Sequence, residues 1–547
     1  MLASGFLIAG CGGGGGGGAP AGAGPGVSRT PDHRFVDPAQ CQQCHPMQYQ
    51  EWEGSVMHYG AASPVFNAFE LTINKLSLGG VAANGASANF CIGCHAPPAP
   101  SQGETQAFVD ALTARPSVES LSEVSKQGVS CDVCHSATGP DLRDSLLGDG
   151  IANRALVLDP DAPKQGPLAN PAANDFHEGS FNPYLTSSEF CGSCHDVRLP
   201  KPDVLTGEPF QRLENLFSEW QSGPYNTVNN PHGRVVSCQD CHMSLYPQQP
   251  PGTYPQAPAA VDPDTGAPLA PRRHALHAFT AVSTPLVDDP RFPNGDTPDR
   301  DGFGYPLGQE QRRRQLLEAT CEVSLRGTPR SLGAAAAVIP IAVTVTNVGA
   351  GHRVPSGFSQ ERQVWLEVVV RDDGGVIYES GVLHDTAHPE TGETAPDGLL
   401  DDEDLEDRHF AIDLDTFDTH VSEGPDADQR GRGVNLGLAS FQNRFVRVLA
   451  DGTQEPVLNP MLADHMDNSR SLEMLTPRVI PYDVPVPGRG LVGDVKVSLR
   501  LRYRAFPPEF LRFLAQREPG LVSEATVDRN RIVDMAAEAR TIRVTDN

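Results

Sequence analysis

Five times in this chain two cysteines stand three positions apart with a histidine directly after the second: Cys41/Cys44/His45, Cys91/Cys94/His95, Cys131/Cys134/His135, Cys191/Cys194/His195 and Cys238/Cys241/His242. With 12 Cys and 17 His in 547 residues, random placement would yield on the order of 0.01 such pattern per chain. The spacing suits one chemistry in particular. Two thiols that close together can form thioethers with the two vinyl groups of a porphyrin, and the adjacent imidazole then reaches its iron from one face. Structural zinc needs its ligands grouped around one ion and does not demand a histidine after every second cysteine. A thioredoxin-type redox pair is a single CxxC opening a helix, unlike five scattered copies. The expectation is therefore five covalently bound haems c.

Each iron bound by one histidine leaves its other face to be filled. Bis-histidine ligation closes the iron and suits electron transfer, whereas an open face admits a substrate. Twelve histidines remain after the five proximal ones. The candidate distal ligands are His58, His177, His232, His277 and His352, with His274 as an alternate to His277. His58 follows His45 by thirteen positions on a segment, 46–59, that reads as one helix. If continuous, its rise separates the two by about 20 Å, so His58 would serve a different haem.

The words around the motifs carry a resemblance. CxxCHPxQYxEWxxSxxH at 41–58, SSEFCGSCHD at 187–196, SCQDCHM at 237–243 and HAF at 277–279 resemble signatures of the multihaem cytochrome c superfamily, which includes tetrahaem electron carriers and, more distantly, hydroxylamine oxidoreductase and octahaem tetrathionate reductase. The likeness covers about half the chain and implies a close-packed haem array. No motif has lysine in place of the proximal histidine, the arrangement of the catalytic haem in pentahaem nitrite reductases. The segment NVGAGHRVPSG at 347–357 resembles a loop recurring in such cytochromes with a C-terminal β-domain, and its glycines would let backbone bring His352 close to a porphyrin.

Positioning elements follow from periodicity. The region 30–325 reads as a loop-rich, mainly helical pentahaem domain, with short helices at 105–112, 118–126 and 210–221 and a proline-rich extended stretch at 247–271. From 326 to 547 the period changes to two: Val495, Val497, Leu499, Leu501 and Tyr503 alternate with Lys496, Ser498, Arg500, Arg502 and Arg504, the pattern of a half-buried strand. Residues 364–380 read as a hairpin, 507–516 and 528–539 as helices, 397–407 as an acidic insertion, and Cys321 as a buried thiol. The fold class is α+β multidomain, a helical multihaem part followed by an antiparallel β-sandwich.

Residues 1–29 read as a truncated lipoprotein signal and a tether. Leu7 to Cys11 resembles a lipobox, which would make Cys11 a lipid anchor, although no basic residue precedes it. Seven glycines at 12–18 begin a coil spanning about 23 Å between Cys11 and Arg29. Asp296, Asp299 and Asp301 are spaced like calcium ligands, with a solvated turn as the preferred reading. A formal charge of −27 and pI near 4.9 argue against nucleic acid. The preferred function is an exported periplasmic or outer-membrane lipoprotein, on the cell surface in one version, that passes electrons through its haems to redox partner proteins or extracellular acceptors. The alternative is a multihaem reductase or oxidase of a small nitrogen or sulfur oxyanion with one open haem.

Overall fold

Alternation at period two builds the C-terminal half. The computed structural model describes residues 34–76, 91–105, 118–143, 145–171, 174–292, 299–300, 302–358, 361–383, 411–412, 419–420, 439–457 and 459–546. We label strands β1 (Cys321–Ser324), β2 (Ser331–Gly333), β3 (Val338–Asn347), β4 (Gln363–Asp372), β5 (Gly375–Ser380), β6 (Ala439–Ser440), β7 (Arg478–Pro485), β8 (Val495–Arg504) and β9 (Val533–Thr545). One sheet runs β2-β9-β8-β4-β5, with β6 also on β4, and a second runs β7-β3-β1. Register sets Leu366 opposite Leu501 and Val368 opposite Leu499 in the first sheet, and Val343 opposite Ile480 in the second. The inward residues of both sheets form one apolar core, so the expected α+β class with a sandwich is what the chain adopts. All main ladders are antiparallel; β2 pairs with β9 in parallel.

The basic residues of β8 are not simply a wet face. Arg502 and Arg504 lie over the Trp365 ring at 5.6 and 5.8 Å, and Glu367 accepts from Arg500 at 2.6 Å and Arg502 at 2.9 Å. This covers the second face of β4, which explains why that strand reads as a nearly unbroken apolar run. Trp365 is fully buried and donates its indole N–H to Gly381 O at 2.9 Å.

Three helical expectations are corrected. The segment 528–539 is helical only over its start, in Glu524–Asp528, and then becomes β9. Its alanines favour helix locally, but pairing along nearly all of β8 and burial of Val533, Met535 and Ile542 win. In 210–221, Gln211–Glu214 is a strand paired with Val197–Leu199, and the helix is confined to Leu216–Ser222. The 46–59 stretch is likewise two helices, Pro46–Glu53 and Val56–Tyr59. Gly54 ends the first, and Ser55 caps the second by accepting the His58 N–H.

In the N-terminal half the structure is short turns of helix joined by loops and two-stranded ladders. Helix Pro64–Leu76 packs its Val65, Ala68 and Ile73 with Phe510, Leu511, Phe513 and Leu514 of helix Pro508–Arg517, so the two halves share a core. Truncating Trp365 to Ala should cost about 3–5 kcal/mol of stability, read as a lower denaturant midpoint of the β-sheet circular dichroism. A loss below about 1 kcal/mol would show that this face of β4 contributes little packing.

Candidate functional site

Each CxxCH motif occupies a single helical turn, and the turn aims its three functional side chains. The histidine amide bonds back to the first cysteine's carbonyl, as in His45 to Cys41 at 2.8 Å and His195 to Cys191 at 2.9 Å. This closes one α-turn, which brings both cysteines and the histidine onto one short stretch of chain. None of the ten motif cysteines is in a disulfide, and all are partly accessible. Burial nevertheless pushes the thiols of Cys91, Cys134 and Cys241 up to about 12. These thiols are thus partly shielded from water without being packed into a core.

Four of the five motif histidines have Nδ1 on a backbone carbonyl: His45 on Ala259 at 2.7 Å, His95 on Gly60 at 2.9 Å, His135 on Gln165 at 2.6 Å and His242 on Thr280 at 2.7 Å. A carbonyl only accepts, so Nδ1 carries the hydrogen and Nε2 keeps its lone pair. Burial lowers the pKa values of these four histidines, to about 4 for His135, whereas His195 is exposed. The rings of these four are therefore neutral at pH 7, oriented, and in the form that binds a metal.

Two distal candidates face proximal rings. His177 lies opposite His45 with ring centroids 6.3 Å apart and planes 28° apart. His277 lies opposite His135 at 6.4 Å and 24°. With a metal–imidazole bond of about 2 Å and a ring centre about 1.2 Å behind its nitrogen, two imidazoles on opposite faces of one iron should have centroids about 6.4 Å apart. The residues present thus fit a haem iron between each pair.

His352 is held at the other end of the array by the loop the sequence singled out. Glu219, on the helix after the fourth motif, accepts from Arg353 N at 3.0 Å and Ser356 Oγ at 2.6 Å. Tyr225 and Tyr246 donate their hydroxyls to Val348 O and Gly349 O. His352 Nδ1 bonds to the Arg353 carbonyl at 2.8 Å, and burial, with His242 and His195 nearby, pushes its pKa down to about 4. Gly349 has no side chain for a local reason, since the Ala319 carbonyl and the Tyr246 hydroxyl abut the position a Cβ would take. That is protein packing rather than approach to a porphyrin.

The structure does not bring His58 or His232 to a proximal histidine. Both His58 nitrogens are taken, Nδ1 by Glu53 O and Nε2 by Gln127 Oε1, each at 2.8 Å, and its ring stacks on Trp52 at 4.3 Å. Gly128, at φ +67°, allows this: a Cβ there would lie 2.6 Å from Met57 O and 2.9 Å from His58 O. His232 is exposed beside Tyr225 at 6.1 Å. The alternate His274 is engaged through Nε2 with Glu51 at 3.0 and 3.1 Å. Glu51 is the residue that the sequence reading missed: burial opposes its ionisation, but hydrogen bonds from His274 and His277 outweigh it and hold the carboxyl down to about 2. Glu51 stands among the fixed letters of the word at 41–58, but its partners His274 and His277 come from more than two hundred positions away. His95 stacks flat on Phe66 at 3.8 Å. Cys11, Asp296 and Asp301 lie outside the described residues, while the Asp299 carbonyl accepts from Leu307 N at 2.9 Å.

Thiol neighbours give the motifs a spatial order different from the sequence order. Cys41 neighbours Cys131, Cys94 neighbours Cys194 and Cys191 neighbours Cys238, and Cys134 lies within electrostatic reach of Cys194. The motifs therefore run first, third, fourth, fifth, with the second branching from the fourth.

A family model described as cytochrome c554 and c-prime matches residues 40–136, which hold the first three motifs. No curated protein matches. The crystal structure of a penta-heme cytochrome c552 from Thermochromatium tepidum is similar at a TM-score of 0.51 and 16% identity, covering 93% of this chain and 99% of that one. At that identity the likeness speaks for the fold.

Electron paramagnetic resonance checks the pairing. His277→Ala should convert one low-spin haem signal to high-spin, whereas His58→Ala and His232→Ala should leave the low-spin count unchanged. A low-spin loss in His58→Ala would contradict the ring geometry.

Proposed function

We propose that this multihaem c-type cytochrome is an exported electron-transfer protein holding five haems through its five CxxCH motifs. The observation that carries the reading is the pair of opposed imidazoles, His45/His177 and His135/His277, at the spacing that bis-histidine ligation requires. In this reading His352 caps the haem of the fourth or fifth motif, between His195 and His242. When bound, haem iron supplies the one-electron iron(III)/iron(II) couple. The chain's own residues do the rest. The Ala259, Gln165, Gly60 and Thr280 carbonyls fix the ligand tautomers and ring angles, so no proton need move when the electron does. Burial keeps the surroundings of low polarity, and the packed motifs bring successive cofactors side by side.

The lipobox-like Leu7 to Cys11 and the glycine coil behind it support export and a tethered location. The net charge of −27 favours cationic or metal-bearing partners reached by electrostatic steering. The β-half would serve as a docking flank that also delivers His352.

Loss of single haems tests the path. Replacing Cys131 and Cys134 by Ser should separate the first haem from the fourth and fifth, so stopped-flow reduction shows two pools that equilibrate slowly. The same change at Cys91 and Cys94 should remove one haem and leave a single fast pool. Two pools in the second variant, or turnover of nitrite, hydroxylamine or tetrathionate by the reduced wild-type protein, would contradict the electron-carrier reading and favour a reductase.

A further inference from the structure

We propose that Glu51 is a positioning residue for the haem of the third motif: its carboxylate takes the Nδ1–H of the distal ligand His277, fixing that ring and strengthening its donation to iron. The inference rests on the electron-transfer reading above and adds a residue that sets one haem apart from the others.

Glu51 sits on helix Pro46–Glu53, directly after the first motif, and is almost completely buried. A buried carboxylate needs donors around it. His274 Nε2 supplies one, at 3.0 and 3.1 Å from the two oxygens, and the His277 backbone N–H supplies another, 2.7 Å from Oε2. The His277 ring then lies over the same oxygen, with Nδ1 3.8 Å from Oε2. That nitrogen is buried and has no hydrogen-bond partner of its own. An imidazole bound to iron through Nε2 carries its proton on Nδ1 and requires an acceptor there. The carboxylate pinned by the ring's own backbone amide is that acceptor, and a modest rotation of the ring closes the distance.

The contrast with the other sites gives the consequence. His45, His95, His135 and His242 all donate to neutral carbonyls. An anionic acceptor draws the proton further, makes the imidazole a stronger donor and stabilises iron(III) over iron(II). His274 moderates the effect, because each hydrogen bond it gives the carboxylate weakens what Glu51 offers His277. The haem between His135 and His277 is accordingly held at lower potential than its ligand set alone dictates. It stands between the first haem and the fourth, so its potential governs passage along the path.

The test is a redox titration followed by electron paramagnetic resonance on the haem-loaded full chain. Glu51→Gln keeps the shape and removes the charge. It should shift the reduction equilibrium of one haem 10- to 100-fold toward iron(II), which at 59 mV per tenfold is about 60–120 mV positive. His274→Phe should shift the same haem in the opposite direction, and it provides the reading should Glu51→Gln fail to fold. Unchanged potentials in Glu51→Gln with five haems and the low-spin signals intact would overturn the proposal. So would shifts of the same sign in both variants, or a stoichiometric non-iron metal in the wild-type protein, which would make Glu51, His274 and His277 a separate metal site. An absence of haem in the wild-type chain would defeat the electron-transfer reading itself.

Discussion

A hydrogen bond from imidazole Nδ1–H to a backbone carbonyl is the interaction on which this structure turns. It costs the protein little, since each carbonyl has a spare lone pair, yet it settles three things at once: which nitrogen is protonated, which way the ring points, and that the ring is neutral in a desolvated cleft. The acceptors come from far along the chain. Ala259 serves His45, and Thr280 serves His242. The loops between motifs, poor in regular structure, are thus held in place by what they must present to the histidines. A loop-rich region can be well ordered when its carbonyls are committed in this way.

The second constraint is closeness. Motif turns pack until thiols of different motifs are neighbours, which orders the sites first, third, fourth, fifth with a branch to the second. The β-half takes part in this arrangement. Its loop at 347–357 is fastened to the helix after the fourth motif through Glu219, and its helix Pro508–Arg517 shares a core with Pro64–Leu76. The sandwich is therefore part of the frame that positions His352, beyond any docking role it has.

Much of this was readable from the residues because the information is local. A CxxCH turn carries its own geometry, and the alternation from Val495 to Tyr503 is a strand wherever it is put. Of the distal candidates read from the sequence, His177 and His277 have rings facing proximal histidines, and His352 lies near His195 and His242. What the residues alone did not show was decided by distant chain. His58 stands in a family-like word, but the break at Gly54-Ser55 and the approach of Gln127 past Gly128 claim both its nitrogens. His177 is among the candidates read from the sequence, but its pairing with His45, 132 positions away, has no local signal. The helix expected at 528–539 followed alanine propensity, whereas the open edge of β8 imposed a strand. Arg502 and Arg504 looked solvated until Trp365 was seen beneath them.

Glu51 shows the same division from the opposite side. Its identity is plain in the sequence, but its importance comes from a segment more than two hundred positions away that folds His274 and His277 onto it. All of these roles presuppose iron porphyrin stitched to the ten motif sulfurs. The most direct check is thiol alkylation of the unfolded, mature protein followed by peptide mass analysis. The account predicts that Cys321 is alkylated while the peptides of all five motifs carry haem and resist the reagent. Motif cysteines that alkylate freely and carry no added mass would contradict it.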